Sequence, residues 1–135
     1  MKQIFSKIRK KEILASIIRL NEIGQYRTDI SPENEFIQVS ARLFNNKIKI
    51  SAHKHLPIKR KSTITQETWI IISGKVYLEL FDLDDKLIFQ EFLNPGDSAT
   101  LFRGGHSLKV EEENTIMYEI KNGPYFGVDS DKKLI

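Results

Sequence analysis

The stretch Glu67-Thr-Trp-Ile-Ile-Ile-Ser-Gly-Lys-Val-Tyr-Leu-Glu-Leu-Phe81 decides the fold. Two short β-rich runs, Thr68 to Ile72 and Lys75 to Phe81, flank the turn signal Ser73-Gly74, and neither is long enough to be a typical helix. The same pattern continues toward the C-terminus. Lys86 to Phe92, Ser98 to Phe102, Ser107 to Glu111 and Thr115 to Lys121 read as strands. Asp84-Asp85, Asn94-Pro95-Gly96-Asp97, Gly104-Gly105, Glu113-Asn114 and Asn122-Gly123-Pro124 punctuate them. Toward the N-terminus, Phe36 to Phe44 and Lys47 to Ala52 are expected to form a hairpin about Asn45-Asn46, a pair suited to positive φ. Many short strands with no helical pattern between them predict an all-β fold, an antiparallel sandwich or barrel.

Before Ser31 the period changes. Ile4, Ile8, Ile13, Leu14, Ile17, Ile18 and Leu20 recur near 3.6 residues, and Gly24 is a stop signal, so residues 2 to 24 are expected to be an amphipathic helix. That helix would pack on the domain or on a partner subunit; the competing use, a membrane-surface anchor, is poorly served because only Phe5 marks an interfacial face. The division expected is residues 1–27 as helix and 31–135 as one β domain, within a chain of 135 residues.

Composition narrows the function classes. With 40% hydrophobic and 29% charged residues the chain can bury a core, which excludes global disorder. No apolar run approaches a bilayer span, and the charged first residues do not resemble a signal peptide, so a cytoplasmic protein is expected. Zero cysteines remove disulfides, thiolate metal sites and cysteine nucleophiles. The net charge of +3 comes from the start of the chain: seven Lys or Arg up to Arg27 face only Glu12 and Glu22. No stripe of basic and aromatic residues follows, which argues against nucleic acid as a partner.

There are three histidines, His53, His55 and His106. On a strand, His53 and His55 would share a face and converge on one point. Such a pair alone is a weak metal signal, and its plainer reading is two exposed side chains about Lys54. Glu67 opens an apolar strand and His106 follows the Gly104-Gly105 turn, which adds a carboxylate and a third imidazole.

These residues carry a resemblance. Glu67 to Gly74 resembles the second half of the first cupin motif, His53-Lys-His55 its opening, and Pro95-Gly96-Asp97 with Gly104-Gly105-His106 the second motif. Gly105-His-Ser-Leu-Lys-Val, Tyr118-Glu-Ile-Lys-Asn-Gly-Pro-Tyr125 and Asp131-Lys132 further resemble the tail of the small WbuC-type cupin metalloproteins of bacterial surface-polysaccharide gene clusters. The resemblance implies a jelly-roll β-barrel and a divalent metal, Zn, Mn, Fe or Ni, held by His53, His55, Glu67 and His106. Eleven residues separate His55 from Glu67, and in an ungapped register the histidine positions fall on Arg60 and Ser62.

What is implied is a cytoplasmic metal-binding cupin acting on a sugar or sugar nucleotide in O-antigen or capsule biosynthesis. A metal-dependent isomerase or epimerase, or with iron a dioxygenase, is compatible with that ligand set. The alternatives are a non-catalytic small-ligand or sensor cupin and a metal-independent sugar ketoisomerase. Glu119 and Lys121, two apart on one strand face, and Tyr125 after the closing turn are candidate catalytic groups. Arg60, Arg103 and Trp69 are candidates for an anionic sugar derivative as substrate. The plainer readings are a solvated strand end, a solvated loop and a core indole. A homodimer is expected, with the N-terminal helix or the strand Phe36 to Phe44 at its interface, because sheet edges must be covered.

Overall fold

A computed structural model describes residues 1–135. The chain forms β1 (Lys2–Phe5), β2 (Ile13–Ile18), a 3-10 turn (Leu20–Glu22), β3 (Thr28–Asp29), β4 (Ser40–Ala41), β5 (Glu67–Ser73), β6 (Val76–Phe81), β7 (Leu87–Leu93), β8 (Ser98–Leu101), β9 (Gly105–Val110), β10 (Ile116–Lys121) and one short helix, α1 (Val128–Asp131). A five-stranded sheet runs β1-β2-β8-β5-β10 and a three-stranded sheet runs β7-β6-β9, all pairs antiparallel. β3 and β4 form a separate two-residue ladder.

The two large sheets share one core. Trp69 and Ile71 of β5, Val76, Leu78 and Leu80 of β6, Leu93 of β7 and Ala99 and Leu101 of β8 pack in a single buried cluster with Ile4, Leu14, Ala15 and Ile17. In β6 the alternation is complete: Val76, Leu78 and Leu80 are buried while Tyr77, Glu79 and Phe81 are half-buried, as a strand with one face on a core requires. The opposite face of the five-stranded sheet is also covered at its centre, where Ser16, Ile18, Thr68, Ser98 and Thr100 are buried. Thr68 donates to Thr100 across that face at 3.2 Å.

Every strand expected from Thr68 onward is present within two residues of its expected ends. The N-terminal helix is not. Residues 13–18 are buried without exception, so the segment has no solvent face; β2 lies between β1 and β8, and a strand covered on both sides reads as a continuous apolar run that also satisfies a helical period. Three of its six residues are isoleucines, whose branched Cβ suits the pleat better than a helix. The reversal before it is built by Ser6, whose Oγ accepts from the backbone N–H of Ile8 and Arg9, and by Asp82, which accepts from Lys7 N–H. Residues 1–18 are therefore part of the sheet and not an appendage to it.

The expected hairpin across Asn45-Asn46 does not form either. Only Ser40 and Ala41 pair, with β3, and residues 42–66 join no strand. Every residue from 42 to 61 is exposed. Lys47-Ile-Lys-Ile50 alternates correctly, but alternation makes a strand only where an apolar surface covers one face. Residues 42–61 carry seven cations and no acid, so the segment's own charges keep it in water. The sheets do not close into a barrel: β1, β10, β7 and β9 each pair on one side only.

Gly104 takes φ +79°, and a Cβ there would stand 2.5 Å from the Phe81 carbonyl oxygen. That oxygen is backbone and has nowhere to move. Gly104→Ala is expected to destabilise the protein by about 1–3 kcal/mol, the range for a residue held in left-handed backbone. A thermal melt unchanged from wild type would contradict this packing of the β8–β9 turn on β6.

Candidate functional site

Register brings one group of polar side chains to the core edge. Antiparallel pairing sets Lys121 opposite Glu67 and Glu119 opposite Trp69, so all four side chains share one face of the five-stranded sheet. On the other sheet His106 pairs with Leu80, which turns it toward the shared interior. The result is a convergence of Glu67, His106, Lys121, Glu119 and Trp69 where the two sheets meet.

His106 Nε2 stands 3.5 Å from Glu67 Oε2, and Lys121 Nζ stands 3.5 Å from Glu67 Oε1 and 3.0 Å from Glu119 Oε1. The Trp69 and His106 rings meet edge to face, 5.3 Å between centroids. Glu67 is nearly buried, whereas the His106 side chain is 32% exposed and Lys121 25%. The neighbouring His106 N–H holds the Glu67 carboxyl at about 2; burial pushes the other way, and the charges of His106, Lys121 and Lys132 reinforce the fall. Lys121 is raised above the ordinary lysine value, first by its hydrogen bond to Glu119. The cluster thus contains a carboxylate that is ionised at every working pH and a cation held beside it.

Trp69 is a core residue, as its plainer reading had it, and also borders the cluster. Its Nε1 is buried with no hydrogen-bond partner, and a buried indole N–H without an acceptor is uncommon in a folded protein. Tyr125 lies at the rim, with Lys121 Nζ 5.4 Å from its ring centroid.

The four expected metal donors are not together. Glu67 and His106 meet, but His53 and His55 sit in the exposed segment, their rings 5.5 Å apart and His53 Nδ1 2.9 Å from the Ser51 carbonyl oxygen. No cluster of three or more His, Asp or Glu side chains has metal-holding geometry. The reason is the missing strand: alternation aims two histidines at one point only inside a sheet. Glu67 and His106 are placed to share a ligand, and His53 and His55 are not placed to complete a metal's coordination.

Arg103 is also elsewhere. Its guanidinium donates to both carboxylate oxygens of Glu35 at 2.8 Å and to the Ile13 carbonyl oxygen. Glu35 is buried and accepts from Gln66 as well. Arg103 therefore anchors residues 31–37 to the sheet and does not face the Glu67 cluster. Arg60 lines a cleft with Asn122, Phe126 and Asp131.

Sequence reasoning passed over Glu35 and, as site residues, Asp131, Lys132 and Ile135. Thr65 donates to Asp131, Lys132 bears on Glu67, and Ile135 fills the space a side chain at Gly105 would need. The C-terminal tail thus returns beside His106. Nothing local marks these positions, because each matters only through a contact with residues far along the chain. No family model, curated protein or solved structure matches this chain.

Proposed function

We propose that the chain is a cupin-type protein that moves a proton on a sugar or sugar nucleotide in bacterial surface-polysaccharide synthesis. The Glu67–His106 dyad is the observation that carries this reading. A carboxylate held at about 2 is too weak a base to take a carbon-bound proton. Its use is to hold the His106 ring by Nε2 and to stabilise the imidazolium once the proton arrives, which leaves Nδ1 of the partly exposed ring for the substrate. Lys121 supplies positive charge for the oxyanion that develops beside a carbonyl when the neighbouring carbon is deprotonated. Glu119 fixes Lys121. Isomerisation and epimerisation both begin with that proton transfer.

Solvent deuterium incorporation into keto-sugars and nucleotide sugars, followed by proton NMR in the presence of chelator, tests the reading. Exchange that His106→Ala abolishes is expected; across such a panel, no exchange above buffer would overturn it.

A metal-dependent form is the second reading, favoured by an ionised carboxylate and an imidazole that already meet. His53 and His55 would have to close on the pair, and residues 42–61 have no ladder hydrogen bonds to give up. Elemental analysis of untagged protein distinguishes the two: a stoichiometric divalent ion lost in His53→Ala supports the metal form, and metal-free protein that still exchanges protons rejects it.

The reading includes a homodimer. Residues 42–61 carry +7, which leaves the rest of the chain at −4, and β10 offers an open edge with Ile116, Tyr118 and Ile120 exposed. An unpaired basic strand-former and an open edge on a body of opposite charge complement each other between two copies. Light scattering is expected to show a dimer at micromolar concentration that weakens with added salt; a monomer at low salt would reject it.

A further inference from the structure

The cleft lined by Arg60 lies beside the dyad and has a different chemistry. It measures about 440 Å³ and is walled by residues 60–65 and 122–124 together with Phe36, Phe126, Ser130 and Asp131, a size that suits a small organic ligand. Arg60 and Lys61 line it side by side, and neither forms an ion pair; its one acid, Asp131, accepts from Thr65. Ser62, Thr63 and Ser130 add hydroxyls. Phe36 and Phe126 line the same space, and Phe126 is 78% exposed, an aromatic ring without a packing partner.

We infer that this cleft binds the nucleoside diphosphate portion of a sugar nucleotide, with Arg60 and Lys61 on the phosphates and the base stacked on Phe126. Two adjacent free cations match a diphosphate, because charge-assisted hydrogen bonds to phosphate oxygens are the strong ones. An exposed ring matches a base, because every base has a face to stack. A cleft for a bare anion would have no use for two phenylalanines.

Its position gives the orientation. Gln66 N–H donates to Asn122 Oδ1 at 2.6 Å and Asn122 N–H to the Gln66 carbonyl oxygen at 3.3 Å. This joins the start of β5 to the end of β10, so the cleft wall continues directly into Glu67 and Lys121. The sugar end of a bound nucleotide would lie toward the dyad. The inference rests on the proposed function for that placement, but the diphosphate site stands on its own residues.

Calorimetric titration with UDP, uridine and inorganic phosphate tests it. Saturable binding of UDP is expected, weaker by about tenfold or more in Arg60→Ala and in Phe126→Ala, both exposed and tolerant of change. Uridine and phosphate alone are expected to bind more weakly than UDP. No saturable UDP binding, wild-type affinity in both variants, or phosphate as tight as UDP would each overturn it. UDP binding without proton exchange would sink the proposed chemistry and leave the nucleotide site standing; exchange on free keto-sugars without UDP binding would do the reverse.

Discussion

Arg103→Ala is expected to destabilise the protein by about 3–5 kcal/mol, the range for removing one partner of a buried ion pair. Glu35 has a side chain only 5% exposed, and Arg103 supplies its one cationic partner. Without the guanidinium the carboxylate keeps a single donor, Gln66 at 2.6 Å, and the Ile13 carbonyl oxygen loses its hydrogen bond from Arg103. Charge stranded in that setting is worse than no charge. Glu35→Gln in the same chain should therefore recover a large part of the loss, and a double-mutant cycle in urea measures the coupling directly. Equal destabilisation with and without Glu35→Gln would show that the pair contributes nothing beyond the Arg103 stem. The same variants separate structure from substrate binding, because Arg103 faces Glu35 and not the dyad.

Glu67→Gln is expected to lower proton exchange on the substrate by roughly 10²–10⁴-fold, the scale on which an amide in place of a carboxylate disables a histidine base. The amide neither compensates the imidazolium nor selects the same tautomer. A second consequence concerns acid stability. The folded carboxyl sits at about 2 against an ordinary 4.5, so the unfolded chain binds this proton first. Its contribution is fully present above about pH 4.5 and is lost as pH falls toward 2, on the order of 2–3 kcal/mol with the partial exposure of its partners His106 and Lys121 allowed for. Glu67→Gln removes that dependence, and its stability should decline less steeply than wild type between pH 4.5 and 2. Parallel urea midpoints across that window would show that the carboxylate is not selectively stabilised in the folded state.

The strands from β5 onward were legible because each carries its own evidence: a β-rich run, an alternating face and a turn residue at each end. Glu67 and His106 were read only as two of four metal donors, through a family resemblance, and that these two meet without His53 and His55 was not legible. The signal failed where one pattern served two structures. Ile13, Leu14, Ile17 and Ile18 fit a helical stripe and a doubly covered strand equally well, and only the arrival of β8 on one side and β1 on the other decides between them. It failed again at His53-Lys-His55, where alternation assumed a sheet that residues 42–66 do not join.

By itself the sequence determined the β class, the positions of the strands from residue 67 on, the absence of thiol chemistry and the residue types available for proton transfer. These are properties of local chemistry: backbone propensity, side-chain alternation and the inventory of titratable groups. Tertiary structure alone decided which of those groups meet. Register placed Lys121 against Glu67, the second sheet turned His106 toward them, the tail brought Lys132 near, and the Glu35–Arg103 pair took the arginine out of the site. Each of these contacts joins residues distant along the chain, so its energy depends on the folded path, which no window of sequence contains.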